Sequence, residues 1–382
     1  MNPAGGFTEE AHAPQEMRPA EHPQEAFAQR RSRSVDSIQE SRWKRSVLAF
    51  LLTLALTLGA IATLNYTVNP LGVYAPHLFP PMVWNGRAEK VAALRHESPV
   101  PAVLVLGSSH VWALAPATMT ELTGLPAFNA GVSVAMTEDE YAILRYAVDQ
   151  AGLQPSLVLL GLDVEALHNN RPVDTRSQDV PELRPYLPRT GRGERVGRMK
   201  SLETIQSTKL SVRSLWLALR GRGGPPPDPL YTVGAHGDTH LFAMERRLAS
   251  GQTSRNQERQ ETLPVYRKRF DNFTALSRVR LEYLQRTLDF CSQHHIRAIV
   301  FLMPLHPQLQ AGLMERGYDA RRRETIEAVT RLSAASGASF VDFSDTASFG
   351  GSPEGFLDGA HLDQASGALL ARALLKETHA IQ

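Results

Sequence analysis

The sequence predicts an α/β protein whose parallel sheet is covered by helices on both faces, in three α/β/α layers. Short apolar runs recur along the chain and alternate with segments of helical periodicity. A strand that is apolar throughout must be buried on both faces, and parallel strands need a crossover, usually a helix, between them. An apolar N-terminal segment and a long irregular stretch add a transmembrane helix and an insertion to this fold.

The N-terminal part of the chain predicts a tail followed by a membrane helix. Residues 1–45 are rich in Pro, Glu, Gln, Ala and Arg without strand or helix periodicity, which predicts a disordered tail. Residues 46–66 form the predicted transmembrane helix, because positions 47 to 64 carry no charge. Roughly 17–25 apolar residues are enough to span a bilayer core.

Charge predicts the orientation of this helix. The basic residues before it are Arg30, Arg31, Arg33, Arg42, Lys44 and Arg45, and no Lys or Arg follows until Arg87. We therefore expect a cytoplasmic tail and a periplasmic domain, in a single-pass protein of the bacterial inner membrane. Ala60-Ile61-Ala62 resembles a signal-peptidase site, but the preceding polar region is too long for an ordinary signal peptide and favours an uncleaved anchor.

The rest of the chain divides into a connector at 67–98 and one domain at 99–382. The predicted strands are 102–106, 127–129, 156–162, 296–302 and 339–343. The predicted helices are 110–122, 137–150, 272–294, 321–337 and 364–376. Pro116 is expected to bend or restart the first of these helices.

An insertion interrupts the domain at about 171–262, where the regular pattern lapses and arginines are frequent. Gly221–Pro227 is typical of a linker. A structureless loop of this length is unusual inside a compact domain, so some helix is expected, for example at 204–219. We expect this segment to serve substrate recognition or to form a lid.

Composition excludes several classes of function. The formal net charge of +2 argues against a dedicated nucleic-acid binder. Cys291, the one cysteine, excludes an internal disulfide and a cysteine-based zinc site, and we expect it to be a buried helix residue. His236 and His240 share the spacing of helical metal ligands, but Gly237 and Asp238 between them favour a loop. We therefore predict no metal and no cofactor.

Two segments at opposite ends of the domain carry the predicted chemistry. Ser109 follows the first strand in Gly107-Ser108-Ser109, whereas Asp358 and His361 follow the last strand. In a doubly wound sheet, reactive groups collect at the carboxyl ends of the strands. A serine hydroxyl needs a base to take its proton, and that base needs a group to orient it. We expect Ser109 as nucleophile, His361 as general base and acid, and Asp358 as the orienting carboxylate.

On these blocks the chain resembles the SGNH/GDSL hydrolase superfamily. More narrowly, it is similar to the membrane-anchored envelope proteins that acetylate alginate and other exopolysaccharides. The resemblance covers about 99–170 and 265–382 and implies a flavodoxin-like sheet. Its four blocks are Gly107-Ser108-Ser109, Asn129-Ala130-Gly131, Gly161-Leu162-Asp163 and Asp358-x-x-His361.

The resemblance also implies an oxyanion hole, to which Gly131 lends its backbone N–H. Ser108 stands where the family has aspartate, and Asp163 stands where it has the asparagine of that hole. An ionised carboxylate repels a developing oxyanion instead of donating to it. Three alternatives stay open: Asp163 is turned away, it is protonated in a dry site, or another donor such as Asn129 replaces it.

Two functions from different classes remain open. The first is serine-dependent acyl transfer on O-acyl groups of an envelope glycan or an acylated small molecule, by transfer or by hydrolysis. A cytoplasmic acyl donor would then require a separate multi-spanning partner. The second is a catalytically lapsed relative that binds glycan or scaffolds a polysaccharide-modifying complex.

Five further side chains are candidates for the rim of the site. His306 follows a strand and either lines the rim or is a neutral surface histidine. His110 is expected to begin the helix after Ser109 rather than to act as base. Three aromatic residues either stack on sugar rings or pack in the core: Tyr74, Trp84 and Trp112.

Overall fold

The computed structural model describes residues 23–71, 78–79, 82, 85–188, 204–221 and 231–380, with side chains from residue 42 onward. Tyr74, Trp84 and the first part of the predicted tail lie outside the described residues. The chain forms two compact units, Met1–Thr63 and Leu64–Gln382.

The first helix, α1 (Pro23–Val68), is longer than the predicted segment 46–66. Its part Arg42–Val68, of 27 residues, is the one stretch of the described chain long and apolar enough to cross a membrane. Residues 23–45 were expected to be disordered and are helical instead. Ala, Gln, Arg and Glu are good helix formers, so the helix extends from the apolar segment toward the N-terminus.

Five parallel strands form the main sheet. They are β1 (Val103–Gly107), β2 (Ala127–Asn129), β3 (Leu157–Leu162), β6 (Arg297–Leu302) and β7 (Ser339–Asp342), while β4 (Thr232–Val233) and β5 (Thr239–His240) form a separate antiparallel pair. The spatial order in the main sheet is β2-β1-β3-β6-β7. This is the flavodoxin-like order, whose direction reverses between β1 and β3. Ligands of such sheets bind at that reversal, outside the carboxyl ends of the strands.

The further α-helices of the described residues are α2 (Gly86–His96), α3 (Pro116–Thr123), α4 (Thr137–Asp149), α5 (Thr175–Gln178), α6 (Ile205–Leu219), α7 (Phe242–Ala249), α8 (Arg255–Arg269), α9 (Arg278–Gln293), α10 (Pro307–Leu313), α11 (Tyr318–Ser336) and α12 (Gln364–Glu377). The helix predicted at 110–122 is two helices, a 3₁₀ helix at Ser109–Ala113 and then α3. Pro116 restarts the chain at the first position of α3, where its fixed φ suits a helix and its missing N–H is not needed.

Helices cover both faces of the sheet, which confirms the predicted three-layer α/β/α architecture. Along β1, Leu104 and Leu106 face one apolar core and Val103 and Val105 face the other. Side chains of α2, α4, α9 and α11 fill the first core, and side chains of α3 and α12 fill the second.

Helix α2 corrects the predicted boundary between connector and domain. It lies inside the segment 67–98, yet Val91 and Leu94 are buried in the first core. The buried Arg87 guanidinium also donates to both carboxylate oxygens of Asp139 in α4, at 3.2 Å each. The folded domain therefore begins before residue 99.

The insertion contains regular structure. Helix α6 matches the expected helix at 204–219, and the pair β4–β5, helix α7 and the start of α8 follow it. The helix expected at 272–294 begins later, at Arg278, because the Ser277 side chain caps its first turn by accepting the Arg280 N–H.

Candidate active site

Ser109 lies just beyond the carboxyl end of β1, where the strand passes into the 3₁₀ helix. Gly107 ends the strand with a φ of 146°, which L side chains rarely adopt. The Ser108 side chain accepts the His110 N–H at 3.1 Å and caps the helix. The backbone N–H of Ser109 is at the first position of this helix, where an N–H has no intrahelical acceptor.

Three glycines of the sequence blocks enclose Val111 in this helix. An added Cβ would lie 2.7 Å from the Val111 side chain at Gly107, 2.4 Å at Gly131 and 2.3 Å at Gly161. The absence of side chains at these positions lets Val111 seat against the ends of β1 and β3. The helix that carries Ser109 is thereby held in place by packing.

His361 and Asp358 complete a hydrogen-bonded chain to Ser109. The distance from His361 Nε2 to Ser109 Oγ is 2.9 Å, and that from His361 Nδ1 to Asp358 Oδ2 is 2.9 Å. A carboxylate only accepts hydrogen bonds, so the imidazole proton lies on Nδ1 and Nε2 is left to accept from the hydroxyl. The two segments predicted to meet are therefore in contact, across 252 positions of sequence.

Asp358 is held as an anion. Its Oδ1 accepts the backbone N–H groups of Ala360 and His361, each at 2.7 Å. Burial alone would raise the pKa of Asp358, but His361 and these backbone donors outweigh burial and hold the pKa well below its usual value.

His306 fixes the loop that carries these residues. Its backbone N–H donates to the Gly359 carbonyl at 2.9 Å, and its Nδ1 accepts the Gln308 N–H as the cap of α10. The side chain is buried against Phe356, at 5.5 Å between ring centroids. Burial, with Arg259 nearby, lowers the pKa of His306. This histidine is thus neither a surface residue nor a ligand of the rim, but a brace beneath it.

Gly131 and Asn129 differ from the expected oxyanion donors. The Gly131 N–H donates to Oδ1 of Asn129 at 2.9 Å. The Asn129 amide donates in turn to the carbonyls of Val111 and Leu114, at 2.8 and 3.0 Å. Both residues therefore bind the turn that follows β1, and their donors are engaged within the protein.

Asp163 is turned away from Ser109 and pairs with His110. Its Oδ1 lies 2.6 Å from His110 Nδ1, and both side chains are buried. Burial would raise the pKa of Asp163, but His110 and the Ser108 hydroxyl lower it below the usual value. Burial would lower the pKa of His110, but Asp163 outweighs burial and raises it. Of the three alternatives for Asp163, the structure shows the first: an ionised side chain directed elsewhere.

The sequence did not reveal that this pair extends to helix α8, which begins in the insertion. His110 Nε2 lies 2.6 Å from the Tyr266 hydroxyl in α8, and burial raises the pKa of Tyr266 well above its usual value. Arg269 covers the Tyr266 ring at 4.6 Å and pairs with Glu165 at 3.1 Å. The sequence signal that could have indicated such a partner was Asp163, because a carboxylate directly after a buried strand requires a compensating charge or hydrogen bond.

A cavity of about 280 Å³ opens beside Ser109 and His361. Its other lining residues are Trp112, Ala113, Thr239, His240, Leu241, Glu245, Leu357, Leu362, Asp363 and Gln364. Four of these, from Thr239 to Glu245, belong to the insertion, so β5 and α7 build one wall. Trp112 also donates its indole N–H to the Gly131 carbonyl at 2.9 Å, which fixes its ring at the cavity.

The two histidines considered for metal binding pair with separate carboxylates. His236 Nδ1 lies 2.5 Å from Glu97 Oε1, and His240 Nε2 lies 2.8 Å from Asp238 Oδ2. They do not converge on a common point, and no cluster of three possible ligands occurs among the described residues.

Comparisons with known proteins concern the fold. No protein-family model and no curated protein matches the sequence. The structure is similar to a GDSL-like lipase from Bacteroides thetaiotaomicron, at 10% identity and a TM-score of 0.37, over 77% of this chain and 98% of that chain. It is also similar to a proposed acylhydrolase from Bacteroides fragilis, at 12% identity and a TM-score of 0.33, over 76% of this chain and 92% of that chain. The resemblance to the SGNH/GDSL superfamily rests on the four sequence blocks, whose residues meet at one edge of the sheet.

Proposed function

We propose that this protein is a membrane-anchored serine acyl-transfer enzyme that acts outside the cytoplasm through an acyl-Ser109 intermediate. The observation that carries the proposal is the unbroken chain from Ser109 Oγ through His361 to Asp358, with both distances at 2.9 Å. Such distances allow proton transfer between hydroxyl and imidazole without rearrangement. The adjoining cavity gives an ester access to the hydroxyl.

The proposed reaction has two stages. Ser109 Oγ attacks the acyl carbonyl while its proton passes to His361 Nε2, and the resulting tetrahedral oxyanion collapses as the ester C–O bond breaks. The leaving alkoxide takes the proton from His361 and departs as an alcohol. Water or a second alcohol then loses its proton to His361, attacks the acyl carbon and releases Ser109. Asp358 keeps the imidazole oriented and stabilises its cationic form.

The Ser109 backbone N–H is the oxyanion donor in this proposal. It lies at the start of a helix, where the peptide dipoles also favour negative charge. Asp163 does not oppose this charge, because its own charge is compensated by His110 at 2.6 Å. A single backbone donor makes a weaker oxyanion hole than two or three would.

The membrane helix supports the proposed location. The span Arg42–Val68 follows a basic segment, which favours a cytoplasmic N-terminus and a periplasmic domain in the bacterial inner membrane. An envelope glycan bearing O-acetyl groups is then the proposed substrate class, with an acylated small molecule as the alternative. Transfer from a cytoplasmic donor would require a multi-spanning partner.

Hydrolysis of p-nitrophenyl acetate by the full-length chain in detergent tests the proposal. We expect Ser109→Ala and His361→Ala each to lower kcat by at least about 1000-fold, whereas the exposed Ser348→Ala serves as the matched control. A mass increase of one acetyl group on Ser109 after exposure to the ester would identify the intermediate. Equal hydrolysis rates for the native protein and all three variants would contradict the proposed enzymatic activity.

The engaged donors of Gly131 and Asn129 favour a second candidate, a lapsed relative that binds glycan or scaffolds a modifying complex. This protein would bind acetylated glycan in its cavity without turnover. Equal, low hydrolysis rates together with retained glycan binding in Ser109→Ala would favour it over the enzyme.

A further inference from the structure

Helix α6 exposes an apolar stripe to solvent. The stripe consists of Ile205, Val212, Trp216 and Leu219, whose exposed fractions are 76, 56, 49 and 88%. Successive members are seven, four and three residues apart, so they share one face of the helix. An ordinary surface helix turns its apolar face to the core. In α6 this arrangement is inverted.

The opposite face of α6 is polar and packs against the end of α1. The buried residues of α6 are Ser207, Ser211 and Ser214. The Ser211 hydroxyl donates to Asn65 Oδ1 at 2.7 Å, and the Asn65 amide donates to the Thr208 hydroxyl at 3.0 Å. Asn65 lies in the last turn of the membrane-crossing stretch Arg42–Val68. Helix α6, which binds this turn, is therefore expected to lie where the chain leaves the bilayer.

Basic side chains flank the stripe. Lys209, Arg213 and Arg220 are exposed on the adjoining part of the helix surface. The Arg220 guanidinium lies over the Trp216 ring, 3.7 Å from its centroid. Aromatic and aliphatic residues beside Lys and Arg are typical of helices that lie in the plane of a membrane interface.

We propose that α6 is a second membrane contact, whose apolar stripe enters the headgroup region of the bilayer that holds α1. Its basic residues then face anionic phospholipid headgroups. The proposal rests on the membrane anchorage given under the proposed function and goes beyond it. A single flexible point of attachment would leave the domain free to tumble, whereas two contacts fix which side of the domain faces the lipid.

Site-directed labelling of the full-length chain tests this contact. Cys291 is buried, and burial raises its pKa to about 12, so an introduced cysteine reacts selectively with an environment-sensitive fluorophore. Val212→Cys places the label on the stripe. Val279→Cys in α9 is the matched control, because these two valines are 56 and 51% exposed. Both proteins are reconstituted in vesicles of phosphatidylcholine with phosphatidylglycerol.

Doxyl-labelled phospholipid and aqueous iodide then report what covers each label. We expect doxyl lipid to quench the label at position 212 at least about twofold more than that at 279, and iodide to do the reverse. Vesicles without phosphatidylglycerol should reduce the lipid quenching at position 212, since the basic residues lose their partners.

Three results would overturn the proposal. Equal iodide quenching at both positions would show a stripe exposed to water. A label shielded from iodide but untouched by doxyl lipid would show that protein, from this chain or another, covers the stripe. Lipid quenching of the label at 212 that stays undiminished after Trp216→Glu, in a chain with unchanged circular dichroism, would show that the lipid contact does not depend on the apolar stripe.

Alkaline carbonate extraction separates this inference from the anchor itself. A chain that is extracted from the vesicles lacks the proposed anchor. A chain that resists extraction and shows a water-exposed position 212 keeps its anchor and lacks only the second contact.

Discussion

The imidazoles of His110 and His361 stand edge to face, with their ring centroids 5.2 Å apart and their planes at 86°. Each ring pairs with its own aspartate, His110 with Asp163 and His361 with Asp358. The His361 pair contacts the Ser109 hydroxyl, whereas His110 turns toward Tyr266. Two similar His–Asp pairs therefore lie side by side. The hydroxyl that each Nε2 contacts, Ser109 for His361 and Tyr266 for His110, distinguishes the proposed base from its neighbour.

Asp358→Asn should lower kcat for p-nitrophenyl acetate by roughly 10⁴-fold, because an amide no longer fixes the imidazole tautomer or stabilises its cation. Asp345→Asn is the control, since Asp345 is exposed and caps a short helix outside the cavity. A kcat within about tenfold of the native value would show that Asp358 does not have the proposed role in the mechanism.

Asp163→Asn should destabilise the domain and also lower activity. Removing one member of a buried ion pair typically costs about 3–5 kcal/mol, since the remaining charge loses its compensation. Thermal unfolding and steady-state kinetics measure the two effects. An increase in kcat would instead show that the new amide serves the oxyanion and that the native carboxylate opposes it.

The pair of His110 and Asp163 should make stability depend on pH. The raised pKa of His110 adds stability that is complete below about pH 6.5 and lost as pH rises through the folded pKa. The lowered pKa of Asp163 adds stability that is complete above about pH 4 and lost as pH falls through its folded pKa. The Tm of the native protein should therefore exceed that of His110→Gln by the largest margin between about pH 4 and pH 6.5.

A Tm series at rising pH checks this expectation, with His96→Gln as control because His96 is exposed at the end of α2. The gap between native protein and His110→Gln should narrow above the folded pKa of His110. A gap in Tm that stays constant up to pH 9, about 2.5 units above the unfolded pKa, would assign His110 a packing role alone.

Gly161→Ala should destabilise the domain by about 1–3 kcal/mol and lower kcat, because the new methyl group overlaps Val111 and displaces the helix of Ser109. The added Cβ would lie 2.3 Å from Val111 and 2.9 Å from Phe301. Gly234→Ala is the matched control, since its nearest neighbour would be the Asp238 carbonyl oxygen at 3.7 Å. Equal melting temperatures for the two variants would refute the steric role of these glycines.

Lys90→Met should alter both the cavity wall and the response to pH. The buried Lys90 ammonium donates to the carbonyls of Asn129 and Gly237 and so ties the β4–β5 turn to β2. Burial lowers its pKa to about 7. Between about pH 7 and 10 the unfolded chain binds a proton that the folded protein releases, so stability contributed by this group rises with pH.

We expect Lys90→Met to abolish that rise in Tm and to raise KM more than it lowers kcat, because the loosened turn carries Thr239 and His240 at the cavity. Lys376→Met, an exposed change in α12, controls for loss of a positive charge. An unchanged KM would show that the hydrogen bonds of Lys90 do not affect substrate binding.

The strands and the contact between Ser109 and His361 could be predicted because both depend on local patterns. Buried parallel strands are apolar throughout, and the carboxyl ends of such strands share one edge of the sheet. The placement of α2 could not be predicted this way. It depends on the pairing of Arg87 with Asp139, and a charged residue in an amphipathic stretch normally indicates an exposed face.

The environment of Asp163 was also beyond local reasoning. Its partner His110 stands next to the proposed nucleophile, but the direction of that side chain follows from Tyr266 in α8, which is remote in sequence. The helical start of α1 was missed for a different reason. Its composition resembles that of disordered segments, whereas each residue individually favours a helix once an adjoining helix removes the need for nucleation.

The insertion builds a wall of the cavity without supplying any member of the Ser109–His361–Asp358 chain. Under the proposed function, selectivity and reactivity are therefore encoded in separable stretches of the chain. An engineer could replace β5 and α7 with other loops and redirect the protein toward new esters, while the machinery at the sheet edge stays as it is.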